Sequence, residues 1–198
     1  DALPICLDNC HYNGGRDMIA IHCALTPETQ LFTGKNLALA GSLVTDTFGN
    51  YESQNGDLSA IVINNLPIWA EYFRAPDLSI ALLDKWDEKL ERLAEATIKE
   101  NMVSLAGVPS WMMILMQRIL NITGKSTIIE VWPNLEVYFH GGVRFTPYRS
   151  QFKQLFGKSN LNYLELYNAT EGFFGIQDQA KSEELLLMLD YGIYYEFI

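Results

Sequence analysis

Clusters of basic residues are missing from this sequence. Its 14 Lys and Arg are scattered among 24 Asp and Glu, giving a formal net charge of −10. Nucleic-acid backbones are held by grouped Lys and Arg, so nucleic acid is excluded as a partner. A small anionic ligand is not excluded, because backbone N–H groups and Mg²⁺ hold phosphates without net positive charge. Long apolar runs are missing as well. Nowhere do the roughly 18 consecutive apolar residues of a membrane span occur. The start, Asp1-Ala2-Leu3-Pro4, has neither the basic stretch of a secretory signal nor an initiator Met. The expectation is a piece of a longer, cytoplasmic protein. Cysteine is scarce, and its count of 3 is odd, which suits a reducing compartment better than a disulfide framework. Charged residues make up 19%, below the usual share of about a quarter. Hydrophobic residues make up 48%. A sizeable core can therefore be buried, disorder is excluded, and apolar surface is left over to meet another segment or a second copy of the chain.

The apolar spacing sets out alternating helices and strands. Residues 4–24 read as a helix, with Gly14-Gly15 as a kink. Residues 36–44 alternate apolar with small residues and read as a strand, followed by a polar loop over 45–56. A short helical stretch runs from Asp57-Leu58 to Leu66 and stops at Pro67. Residues 84–101 form the clearest helix: Leu90, Leu93, Ala94, Thr97 and Ile98 recur at intervals of three and four. Its many charges, Lys85, Glu88, Lys89 and Glu95 among them, read as a solvated face. A strand over 102–106 meets the turn Gly107-Val108-Pro109-Ser110, where Pro109 opens a helix over 111–122 that ends at Gly124. Then come a strand over 135–139, a helix over 147–156 ending at Gly157, and a strand over 161–167. Residues 185–189 and 193–197 read as a hairpin around Asp190-Tyr191-Gly192. The alternation predicts an α/β fold, a layered sheet with flanking helices.

Two strands end in residues suited to a ligand. One ends His140-Gly141-Gly142. The next ends Tyr167-Asn168-Ala169-Thr170-Glu171-Gly172. Ligands of open α/β sheets sit beyond the carboxyl ends of strands, and the helix between these two makes them neighbouring parallel strands. Paired glycines let a flat base lie against backbone. Tyr167 offers a ring to base or ribose, Thr170 a hydroxyl to phosphate, and Glu171 a hard oxygen to Mg²⁺. The same residues also read as a plain turn and a solvated carboxylate, and spacing alone does not decide between the two.

The sequence His140-Gly141-Gly142-Val143-Arg144-Phe145 with Pro147-Tyr148-Arg149, followed by Tyr167-Asn168-Ala169-Thr170-Glu171-Gly172, resembles the auxin-responsive-promoter family of acyl acid–amido synthetases in its bacterial form. Gly14-Gly15-Arg16-Asp17-Met18, Leu31-Phe32-Thr33-Gly34-Lys35, Gly107-Val108-Pro109-Ser110-Trp111 and Met188-Leu189-Asp190-Tyr191-Gly192 fit it too, so the likeness spans the whole chain. The resemblance implies the N-terminal lobe of an adenylate-forming enzyme, with residues 1–198 as one partial domain. It implies ATP and Mg²⁺, a small-molecule carboxylate activated as its adenylate, and an amine or amino acid that takes the acyl group as an amide. By position, Gly141, Gly142, Tyr167, Ala169 and Thr170 would hold the nucleotide. Thr170 and Glu171 would serve catalysis, with Glu171 on the metal, and Ser110, Trp111 and Phe173 would lie beside the acyl substrate. Thr170 stands where the family has Ser, which keeps the hydroxyl. The family's Ser/Thr/Gly-rich phosphate loop is absent from these residues, so the chain alone is expected to turn over weakly or not at all. Two further readings stay open: a non-catalytic acyl- or nucleotide-binding module, and a ligase that forms thioesters with coenzyme A.

The remaining candidates carry less. Cys6, Cys10, His11, His22 and Cys23 crowd the first helix, but there is no CxxC pair and the spacing speaks against zinc. Trp111 follows a turn and suits an acyl pocket, whereas Trp69, Trp86 and Trp132 read as core anchors. Arg144 and Arg149 could meet a substrate carboxylate or form surface ion pairs of little energy.

Overall fold

The computed structural model describes residues 7–157, 161–180 and 182–197. Residues 4–6 of the expected first helix lie outside them. A π-helical turn, Leu7–Tyr12, leads into helix α1, Asn13–Leu25. The expected helix changes from π to α between Tyr12 and Asn13, just before Gly14-Gly15. Gly14 is needed for closeness, since a Cβ there would come within 2.4 Å of the Phe173 ring.

The expected strand over 36–44 divides in two. Strand β1 is Lys35–Ala38 only, and β2, Leu43–Phe48, pairs antiparallel with β3, Tyr51–Gly56, where a loop was expected. The missed signal was Gly49-Asn50, a two-residue turn with Gly49 at φ 63, a glycine-tolerant geometry of tight hairpins. Helix α2, Leu58–Asn64, matches the expected stretch, with Asp57 accepting from Ser59 N at its start. Two short helices, α3 (Ile68–Phe73) and α4 (Leu78–Ala81), were not foreseen. Helix α5 is Trp86–Thr97, trimmed from the expected 84–101, with Asp87 and Glu88 in its first turn. Strand β4, Met102–Ala106, and helix α6, Pro109–Thr123, follow the sequence closely. Pro109 opens α6, and Gly124 closes it at φ 66.

Strand β5, Val137–His140, helix α7, Arg149–Phe156, and strand β6, Asn162–Ala169, complete the parallel part. Strand β6 then turns back as β7, Gly172–Ile176, which the sequence did not disclose. The hairpin expected over 185–197 reduces to β8, Leu186–Leu187, which pairs with β7. Residues 193–197 form no strand. The sheet order is β1-β4-β5-β6-β7-β8, with the first four parallel and β7 antiparallel to both its neighbours.

All four residues of β5 are buried, as in a parallel strand covered on both faces. Successive side chains point to opposite faces. Tyr138 enters the larger core, among Leu93 of α5, Met112 and Met116 of α6, and Phe152 and Phe156 of α7. Val137 and Phe139 join Leu31 and Leu164 in a second core bordered by Met18 and Ile19 of α1. This is the layered α/β architecture the alternation predicts. The larger core is aromatic at its centre. Tyr138 stacks on Phe152 with ring centroids 5.1 Å apart, and His140 stacks on Phe145 at 4.0 Å.

Two expectations follow. Phe152 is fully buried, so Phe152→Ala should destabilise the fold by about 3–5 kcal/mol, through lost burial and the cavity left behind. Urea unfolding should show a lower midpoint at unchanged slope. Burial, and secondarily the Arg149 charge, hold the His140 imidazole down to about 4. The folded chain therefore keeps this ring neutral where the unfolded chain protonates it. Its contribution is complete above the ordinary value of 6.5 and is lost as pH falls toward 4, by an amount of order 3 kcal/mol. Burial also lowers His11, so His140→Phe should reduce, rather than abolish, the slope of stability against pH in that window.

Candidate functional site at the carboxyl ends of the strands

The carboxyl ends of β1, β4, β5 and β6 form one rim because the backbones there touch. Leu39 N donates to Ala106 O at 2.8 Å, and Gly107 N donates to Phe139 O at 3.1 Å. The Tyr138 hydroxyl donates to Gly107 O at 2.8 Å. Gly107 itself sits at φ 148, a conformation that strongly favours glycine. The Gly141-Gly142 pair is wedged into this rim. A Cβ on Gly141 would lie 2.4 Å from Leu166 O of β6, and one on Gly142, at φ 78, would lie 3.2 Å from Val108. Gly141 is therefore buried against β6, and Gly142 alone presents an open backbone surface.

Strand β6 does not stop at the rim. It continues past the level of Gly141, and Ala169 pairs with Gly172 across the two-residue turn Thr170-Glu171. At about 3.3 Å per residue, the turn overhangs the glycine pair by roughly 10 Å. Thr170 and Glu171 are both exposed, and Ala169 is half-buried. Tyr167 is 56% exposed and packs its ring on Phe174 at 5.1 Å. Phe173 points to the opposite face. It is buried with Cys10, Ile176, Met188 and Tyr191, and stands as a wall behind the turn rather than a contact surface.

The Met188–Gly192 motif braces that wall. The Tyr191 hydroxyl donates to Asp17 Oδ2 at 2.7 Å, Arg16 Nε donates to Asp17 Oδ1 at 2.9 Å, and Cys10 Sγ lies 3.3 Å from Tyr191 O. Burial pushes Asp17 upward, but the bonds from Arg16 and Tyr191 outweigh it and hold the carboxyl below its ordinary value. Cys10 is thus a buried thiol bonded to backbone. Among the described residues no group of three or more His, Cys, Asp or Glu could hold a metal ion. Cys6 lies outside the described residues.

On the other flank, Ser110 and Trp111 stand in the first turn of α6. Trp111 is 43% exposed and tilts against Trp86 at 4.7 Å. Trp86 and Trp111, with Ile114 and Ala40, border a groove of about 460 Å³. Lys89 is in the same wall, and here the sequence reading was wrong. Lys89 is buried, 2% exposed, and donates to Ala40 O at 2.6 Å and Gly41 O at 2.8 Å. Burial pulls its pKa down, opposed by the Asp57 charge. The signal was available: position 89 lies four before Leu93 and so shares the apolar stripe of α5. Arg149 lies over the Phe145 ring at 5.6 Å. The rim thus gathers Gly142, Tyr167, Thr170 and Glu171 along one edge, places Ser110 and Trp111 on the adjoining helix, and keeps Phe173 inside.

Comparison with known proteins agrees with this architecture. The family model described as "GH3 family N-terminal domain" matches residues 7–161. Among solved structures, GH3.15 acyl acid amido synthetase superposes with a TM-score of 0.57 at 12% identity, over 84% of this chain and 39% of its own. The Vibrio cholerae adenylation domain AlmE, solved with glycyl-adenosine-5'-phosphate, aligns over 90% of this chain and 28% of its own, with 16% identity and a TM-score of 0.44. At such identities a likeness speaks to fold alone, and the second is too loose to carry argument. The chain spans well under half the length of either structure. No curated protein matches it. With the family model covering most of its length, the chain belongs to the GH3 family.

Proposed function

We propose that the protein to which this chain belongs activates a carboxylate as an acyl-adenylate with ATP and then transfers the acyl group to an amine, an amino acid by preference. The observation that carries the reading is the overhang of the Thr170-Glu171 turn beyond Gly142, on the carboxyl rim of a parallel sheet, in a chain of the GH3 family. In this reading the base lies on the exposed side of Gly142, with Tyr167 and Ala169 beside it and Gly141 fixing the loop from behind. The Thr170 hydroxyl meets phosphate. Glu171 supplies one hard oxygen to Mg²⁺. One protein carboxylate is enough for this ion, which keeps waters and takes its other ligands from nucleotide phosphates. An exposed, singly placed Glu171 fits that donor set. When bound, the metal neutralises charge that builds on the leaving pyrophosphate. Ser110 and Trp111 line the acyl side, and Phe173 backs the turn.

The test is nucleotide binding by the chain, followed by calorimetry. ATP with Mg²⁺ should bind more tightly than ATP alone, and Glu171→Ala should remove that difference, a loss of roughly tenfold or more. Equal binding of ATP·Mg²⁺ by both forms would remove Glu171 from the metal role. In a longer form that carries a phosphate loop, pyrophosphate exchange should appear. A mass-resolved acceptor screen should then give amides with amino acids and no thioester with coenzyme A.

A further inference from the structure

Part of the β6 edge is open on its β7 side. β7 pairs with β6 only from Leu166 onwards, so Asn162–Glu165, paired with β5 on one side, has no strand on the other among the described residues. Gln177 closes the edge instead. Its backbone N–H donates to Glu165 O at 2.8 Å, and its Oε1 accepts from Glu165 N at 3.0 Å. Its Nε2 donates to Gln179 O at 3.0 Å and Ser182 O at 2.8 Å, which draws the following loop over the gap. Beneath lies a cavity of about 280 Å³.

Among the described residues, four charged side chains line it, two of each sign: Arg144, Arg149, Glu165 and Glu183. Among the described residues no ion pair within 4.0 Å joins any two of them. The cavity also meets two buried imidazoles, His22 and His140, and the Nδ1 of each is buried without a hydrogen-bond partner. The His22 ring is assigned by its other nitrogen. Nε2 lies 2.8 Å from Glu136 Oε1 and 3.1 Å from Thr29 Oγ1, whose own hydroxyl donates to Glu136. Nε2 therefore carries the proton toward the carboxylate, and in the neutral ring Nδ1 is a bare acceptor with no donor. Buried acceptors normally have one.

We propose that this cavity is a second ligand site, taking a small zwitterion: a molecule with one carboxylate and one ammonium group. The carboxylate would meet the Arg144 and Arg149 guanidiniums, whose forked donors suit its two oxygens. The ammonium would meet Glu165 and Glu183. A plain anion faces two carboxylates in the same wall, and a plain cation faces two guanidiniums. A ligand with both signs answers all four of these charges, and the volume limits it to a small one. The site uses none of the residues that the proposed function assigns to nucleotide, metal or acyl group, so either can fail without the other.

The probe is L-alanine, titrated into the isotope-labelled 198-residue chain, with acetate and methylammonium as half-ligands. L-Alanine should give saturable shifts at the His22 and His140 rings and at the Gln177 side-chain amide. Each half-ligand should bind roughly tenfold more weakly or worse. Arg149→Ala and Glu165→Gln should each weaken L-alanine by a similar factor while keeping the amide dispersion of the folded chain. No saturable shift with L-alanine would overturn the proposal. So would acetate binding as well as L-alanine, which makes it a plain anion site, or undiminished L-alanine binding in folded Arg149→Ala. If either variant unfolds, the wild-type comparison of L-alanine with its half-ligands decides alone.

Discussion

Backbone-to-backbone contact at the strand ends is the constraint on which the rest depends. Parallel strands are joined through helices, and only their ends are free to gather loops. Here the loops after β4 and β5 are held so close that side chains do not fit. Gly107 is bonded to Phe139 on one side and to the Tyr138 hydroxyl on the other. Gly141 lies against the Leu166 carbonyl. A glycine pair at such a place has two roles in one segment. The first glycine is consumed by packing, and its tight fit fixes the loop. The second inherits a fixed position with its backbone uncovered. A rim built this way is held together without bulky side chains.

The same economy governs the overhanging turn. Thr170 and Glu171 are exposed at the end of a two-stranded ribbon, and such ribbons are marginal alone. This one is backed by Phe173, which fills the space that Gly14 leaves open, and by Tyr191, which links through Asp17 to α1. Motifs far apart in sequence, Gly14–Met18 and Met188–Gly192, thus meet behind the turn. Their part is to hold the turn in place, and the polar residues in front depend on them.

What the sequence disclosed follows from how local each signal is. β4 and α6 were legible to within a residue or two. Met102–Ala106 is bounded by polar Asn101 and Gly107, and Pro109 and Gly124 mark the ends of α6 through backbone chemistry that needs no neighbour. The parallel pairing of β5 with β6 followed from the helix between them. Hairpin β2–β3 was hidden because its middle residues are polar and it is largely exposed on both faces. It has no apolar alternation, and only Gly49-Asn50 betrayed it. β7 was hidden for the opposite reason. Gly172–Ile176 is glycine-rich and short, and its strand character comes from long-range contact with Gly14 and Tyr191 rather than from propensity. Phe173 was expected beside a substrate from the resemblance alone. The period of two in a strand, applied from Tyr167 and Phe174, turns it inward.

Lys89 shows how a charge can be part of the rim's stiffness. β1 ends early, and the carbonyls of Ala40 and Gly41 run on beyond its pairing with β4. Buried carbonyls without donors are costly. On the other strands a glycine allows a neighbouring backbone to come near enough. Past the end of β1, the donor to Ala40 O and Gly41 O arrives on a side chain from α5. An apolar residue at position 89 would satisfy the helical stripe and leave two carbonyls bare. A lysine satisfies the carbonyls and lays its aliphatic stem along the stripe. The groove wall next to Trp86 and Trp111 is thereby fixed by the same principle as the glycine loops, namely a donor brought to a strand end that the sheet itself cannot complete.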